Sequence, residues 1–458
     1  MRSARAKVLH ELVGRPLVAY PVELARAIGA DPVVAVLGHQ REAVEASLAA
    51  RFGADAITVV EQAEQRGTGH AVRLAMPALA KAFAKSKDPG SGLVLVLYGD
   101  VPLLRRETLE ELVGTARRYG CLALVTATPP DPTGYGRILR DERGHAIGVV
   151  EQKDASPEEQ AITEINAGIY CAPAPFFAQA TAMLTPRNAQ REYYLTDIIA
   201  RAARTIGVSS VEADHRDVAG INDRQQLAEA EAAMRMRIVR AHQAHVTFRD
   251  PAAVVVEPGV ELGVDVEIGR NVALRGRTRV DRGARIGDGV ILTDMEIGAG
   301  ADIKPYTVAE ASVIGPGAVV GPFAHLRPGT EIAAEAKVGN FVEMKRTKLG
   351  KGSKANHLSY LGDAHIGEKV NVGAGTITCN YNGYEKFPTV IEDQAFIGSD
   401  TQLIAPVKVG RRAVIAAGTT VTDDVAAGAL VLSRVQQIEK PGYAQRVAKK
   451  YAEKRKSG

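Results

Sequence analysis

From Ile268 onward, aliphatic residues recur every six positions. One run reads Ile268, Leu274, Val280, Ile286 and Leu292. A second reads Ile314, Val320, Leu326, Ile332 and Val338, and a third reads Ile391, Ile397, Leu403, Val409, Ile415 and Val421. Helix faces repeat every ~3.6 residues and strand faces every ~2, so neither keeps this step. Four residues after an aliphatic stands a small or β-branched residue, such as Ala284, Ala318, Thr330, Ala336 or Thr401, and the residue after the aliphatic is often glycine, as at Gly269, Gly287, Gly315, Gly339 and Gly398. The pattern predicts a parallel β-helix in which each hexapeptide forms one face of a triangular coil. The aliphatic fills the axis, the small residue packs beside it, and glycine permits the corner.

The period breaks between Met344 and Ile366, in KRTKLGKGSKANHLSYLGDAH, and between Val372 and Ile391, in GAGTITCNYNGYEKFPTV. Both are expected to be loops leaving the solenoid surface, where function is commonly carried. His357, Tyr360, Asn371, Asn380 and Tyr381 lie in or beside them.

Ahead of the repeats the pattern is different. PVVAVLG (32–38), AITVVEQ (56–62), GLVLVLYGD (92–100) and CLALVTAT (121–128) read as short buried strands. REAVEASLAARF (41–52), HAVRLAMPALAKAFA (70–84) and RETLEELVGTARRYG (106–120) read as helices between them. Such alternation predicts a mostly parallel sheet with helices on both faces. Residues 225–245 hold no Gly or Pro and read as a helix joining two domains, 1–224 and 246–458. The tail KKYAEKRKSG reads as a solvated, disordered basic end.

A formal charge of +4 over 458 residues does not call for nucleic acid. Cys121, Cys171 and Cys379 are too few and too scattered for a disulfide framework or a zinc site, which fits a reducing cytoplasm. No stretch reaches the ~20 apolar residues that would cross a membrane.

Ligands of open α/β sheets bind beyond the carboxyl ends of the strands, which directs attention to Asp100 after LVLVLYG. A carboxylate there suits Mg²⁺, a hard cation that shares oxygen donors with phosphates, although capping the turn before Pro102 would need the same residue. In EQAEQRGTGHAV, Gln62 and Gln65 precede Gly67, Thr68 and Gly69 at a helix start, a place for an anion or a base edge and equally for a plain capping loop.

QAEQRGTGHA, LYGDVPL, DPTGYGRI, VEQKDA, INAGIY, EYYLTDII and GINDRQQL stand in order along the first half. GPFAHLRPG, VGNFVEMK, LGKGSKANHLSYLGDA, VNVGAGTITCNYNG, FIGSDTQLIAPV and AAGTTVT continue the series. Over essentially its whole length the chain resembles the bifunctional N-acetylglucosamine-1-phosphate uridyltransferase/glucosamine-1-phosphate acetyltransferase family. The resemblance implies a Rossmann-like α/β nucleotidyltransferase followed by a left-handed parallel β-helix of hexapeptide repeats. For the first reaction it implies UTP and N-acetylglucosamine 1-phosphate as substrates and Mg²⁺ held by Asp100 and Asn222. Lys7 would offset phosphate charge, Gln62, Gly67 and Thr68 would hold the uracil side, Tyr98 and Gly99 would line the nucleotide site, and Gly136, Glu151 and Asn166 would meet the sugar.

For the second reaction it implies glucosamine 1-phosphate and acetyl-CoA, with direct attack of the amine on the thioester. Only a neutral amine has the lone pair to attack, so a general base is needed. His357 matches the family's base, and Cys379 would be a bystander. Arg327, Lys345, Tyr360 and Asn371 match contacts to the sugar phosphate; Ala374, Asn380, Tyr381, Ser399, Ala417 and Arg434 match contacts to acetyl-CoA. A homotrimer with sites between subunits is implied as well.

The family opens on a strand ending in L-A-A-G-x-G-T-R-M, followed by P-K-V-L-H. Here Met1 stands at that motif's last position, Lys7 on its lysine, and Ala6 in place of the proline. The first strand, its glycine loop and arginine are therefore expected to precede this sequence, with an internal Met taken as the start. Without them, uridylyl transfer is expected to be inefficient and the first domain less stable; the alternative is an acetyltransferase alone.

Overall fold

The computed structural model describes residues 1, 3–85 and 92–456. It comprises two compact units, Met1–Arg235 and Met236–Gly458.

The first unit begins with a small antiparallel pair, β1 (Glu11–Leu12) and β2 (Arg15–Pro16), then α1 (Ala19–Ala27). β3 (Val34–Leu37), α2 (Arg41–Phe52), β4 (Thr58–Glu61), α3 (Thr68–Lys85), β5 (Leu93–Val96), α4 (Arg106–Tyr119) and β6 (Leu122–Ala127) follow, each within a few residues of its expected span. Next come β7 (Arg137–Arg140), β8 (Ala146–Val150), α5 (Pro157–Gln160), β9 (Ile165–Pro173), α6 (Ala174–Ala182), α7 (Asp197–Thr205), β10 (Val208–Glu212) and α8 (Arg224–His242). Alternation along β6 and β9 turns Leu122, Leu124, Tyr170 and Ala172 to one side, packed with Val72, Phe177 and Ile199 from helices α3, α6 and α7. Ala123, Val125, Ile169 and Cys171 face the other side, against Leu109, Leu112 and Ala116 of α4. Helices therefore cover both faces, as expected of an α/β layer.

Neighbouring strands are not mostly paired in parallel, against expectation. β3 and β4 pair in parallel as a separate two-stranded sheet. In the six-stranded sheet only β10 and β6 pair in parallel; β9 runs antiparallel to β5, β6 and β7, and β8 antiparallel to β7, so β5, β6, β7 and β10 share one direction. Ile165–Pro173 is buried along nearly its whole length, so it takes an interior place in the sheet and reverses the local direction. Among the described residues β3 pairs only with β4, and β5 only with β9.

The second unit is a three-sided parallel solenoid with sheets of 11, 10 and 9 strands. The first face runs from Val246–Phe248 to Leu430–Val431, the second from Val255–Val256 to Thr420–Val421, and the third from Glu261–Leu262 to Val407–Val409. Every hexad aliphatic from Ile268 to Val421 is buried in one continuous core. The small positions have a polar use too. Thr278, Thr330, Thr376 and Thr401 are buried, and their hydroxyls donate at 2.7 Å to the carbonyls of Arg275, Arg327, Gly373 and Gly398. Interior carbonyls at the corners are thus satisfied, as buried polar groups must be.

The first expected loop is no loop. Met344 is followed by Leu349, Ala355, Leu361 and Ile366, all buried in the axis, and the segment forms successive strands. The steps from Met344 to Leu349 and from Leu361 to Ile366 are each one residue short, which shifts the phase of the hexads without an insertion. The second break is a true loop, which leaves the second face after Ile377–Cys379, closes through a bridge between Tyr381 and Lys386, and returns at Thr389–Ile391. The described part of the basic tail belongs to a helix, Tyr443–Lys456, where a disordered end was expected; Ser457 and Gly458 lie outside the described residues.

Candidate active sites

In the first unit, Asp100 lies just beyond β5. Lys7 Nζ sits 2.5 Å from Asp100 Oδ2 and 3.0 Å from Asn222 Oδ1, so two oxygen donors far apart in sequence converge on one cation-sized position that the ammonium marks. The Ile221 amide donates to the Asp100 carbonyl at 3.0 Å and ties the two segments together. Two side-chain oxygens with room for phosphate oxygens fit Mg²⁺, which binds through one or two protein groups plus substrate phosphates. No cluster of three or more His, Cys, Asp or Glu side chains suited to a metal exists among the described residues.

Tyr98 backs this position. Gly168, at φ 77°, leaves room for its ring, since a Cβ there would lie 1.9 Å from the ring edge. Burial pushes the Tyr98 hydroxyl up to about 12, and a hydrogen bond to the Thr68 side chain partly offsets this. Thr68 opens α3 in the loop expected to hold a base. There Gln62 Nε2 donates to the Gly67 carbonyl at 3.1 Å and lies 3.1 Å from His70 Nδ1. Side chains at Gly67 and Gly69 would come within 2.9 and 2.8 Å of the Tyr193 carbonyl, which accepts from the Gly69 amide. Tyr193, in EYYLTDII, was not singled out from the sequence, yet its backbone holds this loop.

Gly136, Glu151 and Asn166 are also brought together. The Asn166 amide donates to the Gly136 carbonyl at 2.9 Å, and a Cβ on Gly136 would lie 3.4 Å from Glu151 Oε2. Asn166 is committed to its neighbours, donating to the Tyr170 hydroxyl at 2.7 Å and accepting from the Gly168 amide at 3.2 Å. Glu151 accepts from Thr196 Oγ1 at 3.1 Å. Burial raises its carboxyl above the usual range, with Asp154 and Asp197 adding to the shift against the Thr196 hydrogen bond.

In the second unit, His357 ends the first-face strand Lys354–His357 at an exposed corner. Its Nδ1 lies 3.0 Å from Asn340 Oδ1, one coil below in register. An Nδ1–H donating to that oxygen leaves the lone pair on Nε2, as a general base requires. Asn340 was missed from the sequence; its signal was its place one coil before His357. Climbing the same corner come Ala374, Ser399 and Ala417, whose backbones are tied coil to coil: the Asp400 amide donates to the Ala374 carbonyl and the Gly418 amide to that of Ser399.

Tyr360 begins the next second-face strand, and Asn371 the next first-face strand. Gly362 admits both the Tyr360 hydroxyl and Asn380, because a Cβ there would lie 2.5 Å from one and 2.7 Å from the other's Nδ2. Asn380 donates to Asp363 Oδ2 at 2.5 Å, and Arg346 Nε to Asp363 Oδ1 at 2.6 Å. Arg327 pairs with Glu343 at 2.9 Å. Lys345 is held below its usual value first by the Lys386 ammonium and then by the Arg327 guanidinium. Three cations so placed favour a bound anion. Lys386, also missed from the sequence, arrives on the loop after Asn380. Tyr381 is in that loop, its hydroxyl donating to the Gly383 carbonyl at 2.5 Å, whereas Arg434 lies in an exposed segment after the last strand. Two cavities, of about 360 and 590 Å³, open on the third face beside Lys348 and His365; His357 lines neither.

No helix among the described residues is long and apolar enough to cross a membrane. The family described as MobA-like NTP transferase domain matches residues 1–172, and the bacterial transferase hexapeptide family (six repeats) matches residues 388–423. The chain is 52% identical to the bifunctional protein GlmU of Sorangium cellulosum, over 98% of this chain and 94% of that one. It is 50% identical to GlmU of Anaeromyxobacter sp. strain Fw109-5, over 100% and 92%, and 48% identical to that of Pelobacter propionicus, over 98% and 96%.

Proposed function

Because the chain belongs to the family of bifunctional GlmU proteins, we propose a division of labour between its two units. The chain is a two-activity transferase. Its solenoid acetylates glucosamine 1-phosphate with acetyl-CoA, and its first unit transfers uridylyl from UTP to the resulting N-acetylglucosamine 1-phosphate, giving UDP-N-acetylglucosamine and pyrophosphate. A match to NTP transferases over residues 1–172 of the first unit weighs against an enzyme confined to acetyl transfer.

The observation that carries the assignment of residues is the His357–Asn340 pair at the corner below Ala374, Ser399 and Ala417. In the acetyl transfer, His357 Nε2 takes the proton from the sugar amine as its nitrogen bonds to the thioester carbonyl carbon. The carbon–sulfur bond then breaks, and the departing coenzyme A thiolate takes that proton from the His357 imidazolium and leaves as its thiol. Arg327, Lys345 and Lys386 anchor the sugar phosphate, Tyr360 and Asn371 orient the ring, and Asn380, Tyr381 and Arg434 join the corner column in holding acetyl-CoA. A sugar amine on an exposed corner needs a second wall to exclude water, which supports a homotrimer with each site between neighbours.

In uridylyl transfer, a phosphate oxygen of the sugar attacks the α-phosphorus in line and pyrophosphate departs, so no protein nucleophile is needed. Mg²⁺, held by Asp100 and Asn222, supplies charge neutralisation on the phosphates when bound. Lys7 then turns from those two oxygens to the phosphates. Gln62, Gly67 and Thr68 receive the uracil edge, Tyr98 and Gly99 shape the floor, and Gly136, Glu151 and Asn166 receive the sugar. Three free cysteines support work in the reducing cytoplasm.

The test supplies glucosamine 1-phosphate, acetyl-CoA, UTP and Mg²⁺ together and follows released thiol and pyrophosphate. Thiol release is expected at an ordinary rate and pyrophosphate release more slowly, with UDP-N-acetylglucosamine as product. Absence of thiol release would overturn the acetyl-transfer assignment.

A further inference from the structure

The two oxygen donors of the first unit reside on different segments, Asp100 after β5 and Asn222 ahead of α8. Something must hold those segments in register. The segment leading to Asn222 has few regular backbone bonds of its own; the Met1 amine donates to the Asn222 carbonyl at 2.8 Å, and three further ties bear on its place beside Asp100. One is the Ile221 amide bond to the Asp100 carbonyl. A second is a hydrogen bond between the Tyr135 side chain and the Gly220 backbone, with Asp100 nearby. The third is an ion pair between Arg105 Nε and Asp217 Oδ2. Asp217 is buried while Arg105 is exposed, and each follows or precedes a donor by five residues: Arg105 lies past Asp100 and Asp217 lies before Asn222.

We propose that the Arg105–Asp217 pair is a positioning clamp that keeps Asp100 and Asn222 at the spacing of one divalent cation. It rests on the assignment of those two side chains as the metal donors. Neither clamp residue touches the cation or its donors; each acts at one remove, through five residues of backbone, so the loss expected is the lower end of the about 10- to 100-fold found for partners bonded directly to metal ligands.

The probe is Tb³⁺, whose luminescence is sensitised by neighbouring tyrosines, titrated into the full chain. Asp217→Asn is expected to weaken Tb³⁺ binding about tenfold, as is Arg105→Gln, while Arg105→Lys recovers part of the loss. Acetyl transfer by the second unit and melting of the first should stay near the parent values for Arg105→Gln, whose side chain is at the surface. Asp100→Asn is the reference. If Asp100→Asn abolishes binding and both clamp variants bind like the parent, the clamp is refuted. If Asp100→Asn itself binds like the parent, the metal assignment falls instead.

Discussion

Replacing Gly339 by alanine perturbs the acetyl-transfer site without touching any residue expected to meet a substrate. Gly339 lies in the strand Lys337–Asn340, directly beneath Lys354–His357. A Cβ at 339 would stand 1.9 Å from the Asn356 carbonyl oxygen, whereas real Cβ atoms essentially never come within 3.0 Å of another atom. The offending atom is backbone, so the rung bearing Asn356 and His357 must retreat by about 1 Å. A misplacement of that size costs about 10²-fold in rate, or ~2.7 kcal/mol of barrier. Overpacking should also cost about 1–3 kcal/mol of stability, lowering the melting temperature by about 2–4 °C per kcal/mol for a unit of this size. Thiol release from acetyl-CoA reads the rate, and pyrophosphate release by the first unit serves as the internal control. Acetyl transfer within threefold of the parent, with unchanged melting, would refute the view that coil-to-coil spacing holds the imidazole in place.

Glu151→Gln is expected to stabilise the first unit at pH 7.5 while weakening sugar binding. The folded carboxyl titrates above its ordinary 4.5, so the folded state binds more protons in that window and stability is lost as pH rises through the raised value. The gain should vanish below about pH 4.5, and a pH-independent gain would contradict burial as the cause. Lys386→Ala is expected to raise KM for glucosamine 1-phosphate about tenfold with a smaller change in kcat, since one hydrogen bond to a charged group contributes about 1.5–3 kcal/mol; an unchanged KM would remove Lys386 from the anchor. Cys379→Ala should keep acetyl transfer at the parent rate, because direct attack involves no thiol, and loss of transfer would indicate an acylated cysteine.

The solenoid was legible because its core is one-dimensional: nearly every hexad buries one aliphatic on a common axis, and that regularity is written in three runs between Ile268 and Val421. The same reading misjudged Met344–Ile366, because dropping one residue at a corner and inserting a loop both disturb a six-residue step in the same way. In the first unit, strands and helices were visible from burial patterns, but direction was not. β9 reverses the sheet through its pairing partners, which local periodicity does not encode. Asp100, Gly67 and Thr68 stood out as turn chemistry at strand and helix ends. Asn340 did not, since an asparagine at a β-helix corner reads as an ordinary turn residue until stacked under His357, 17 positions later. Lys386 and Tyr193 escaped for a similar reason: each acts on residues distant in sequence.

The account turns on His357 Nε2 as the base at the corner where amino-sugar and thioester meet. Its most direct test is the turnover of acetyl-CoA with glucosamine 1-phosphate by His357→Ala, read beside uridylyl transfer in the same preparation. The expected result is a fall of ~10²–10⁴-fold in acetyl transfer with pyrophosphate release unchanged. A fall of less than about threefold, against the far larger loss expected when a general base is removed, would contradict it and place the base elsewhere.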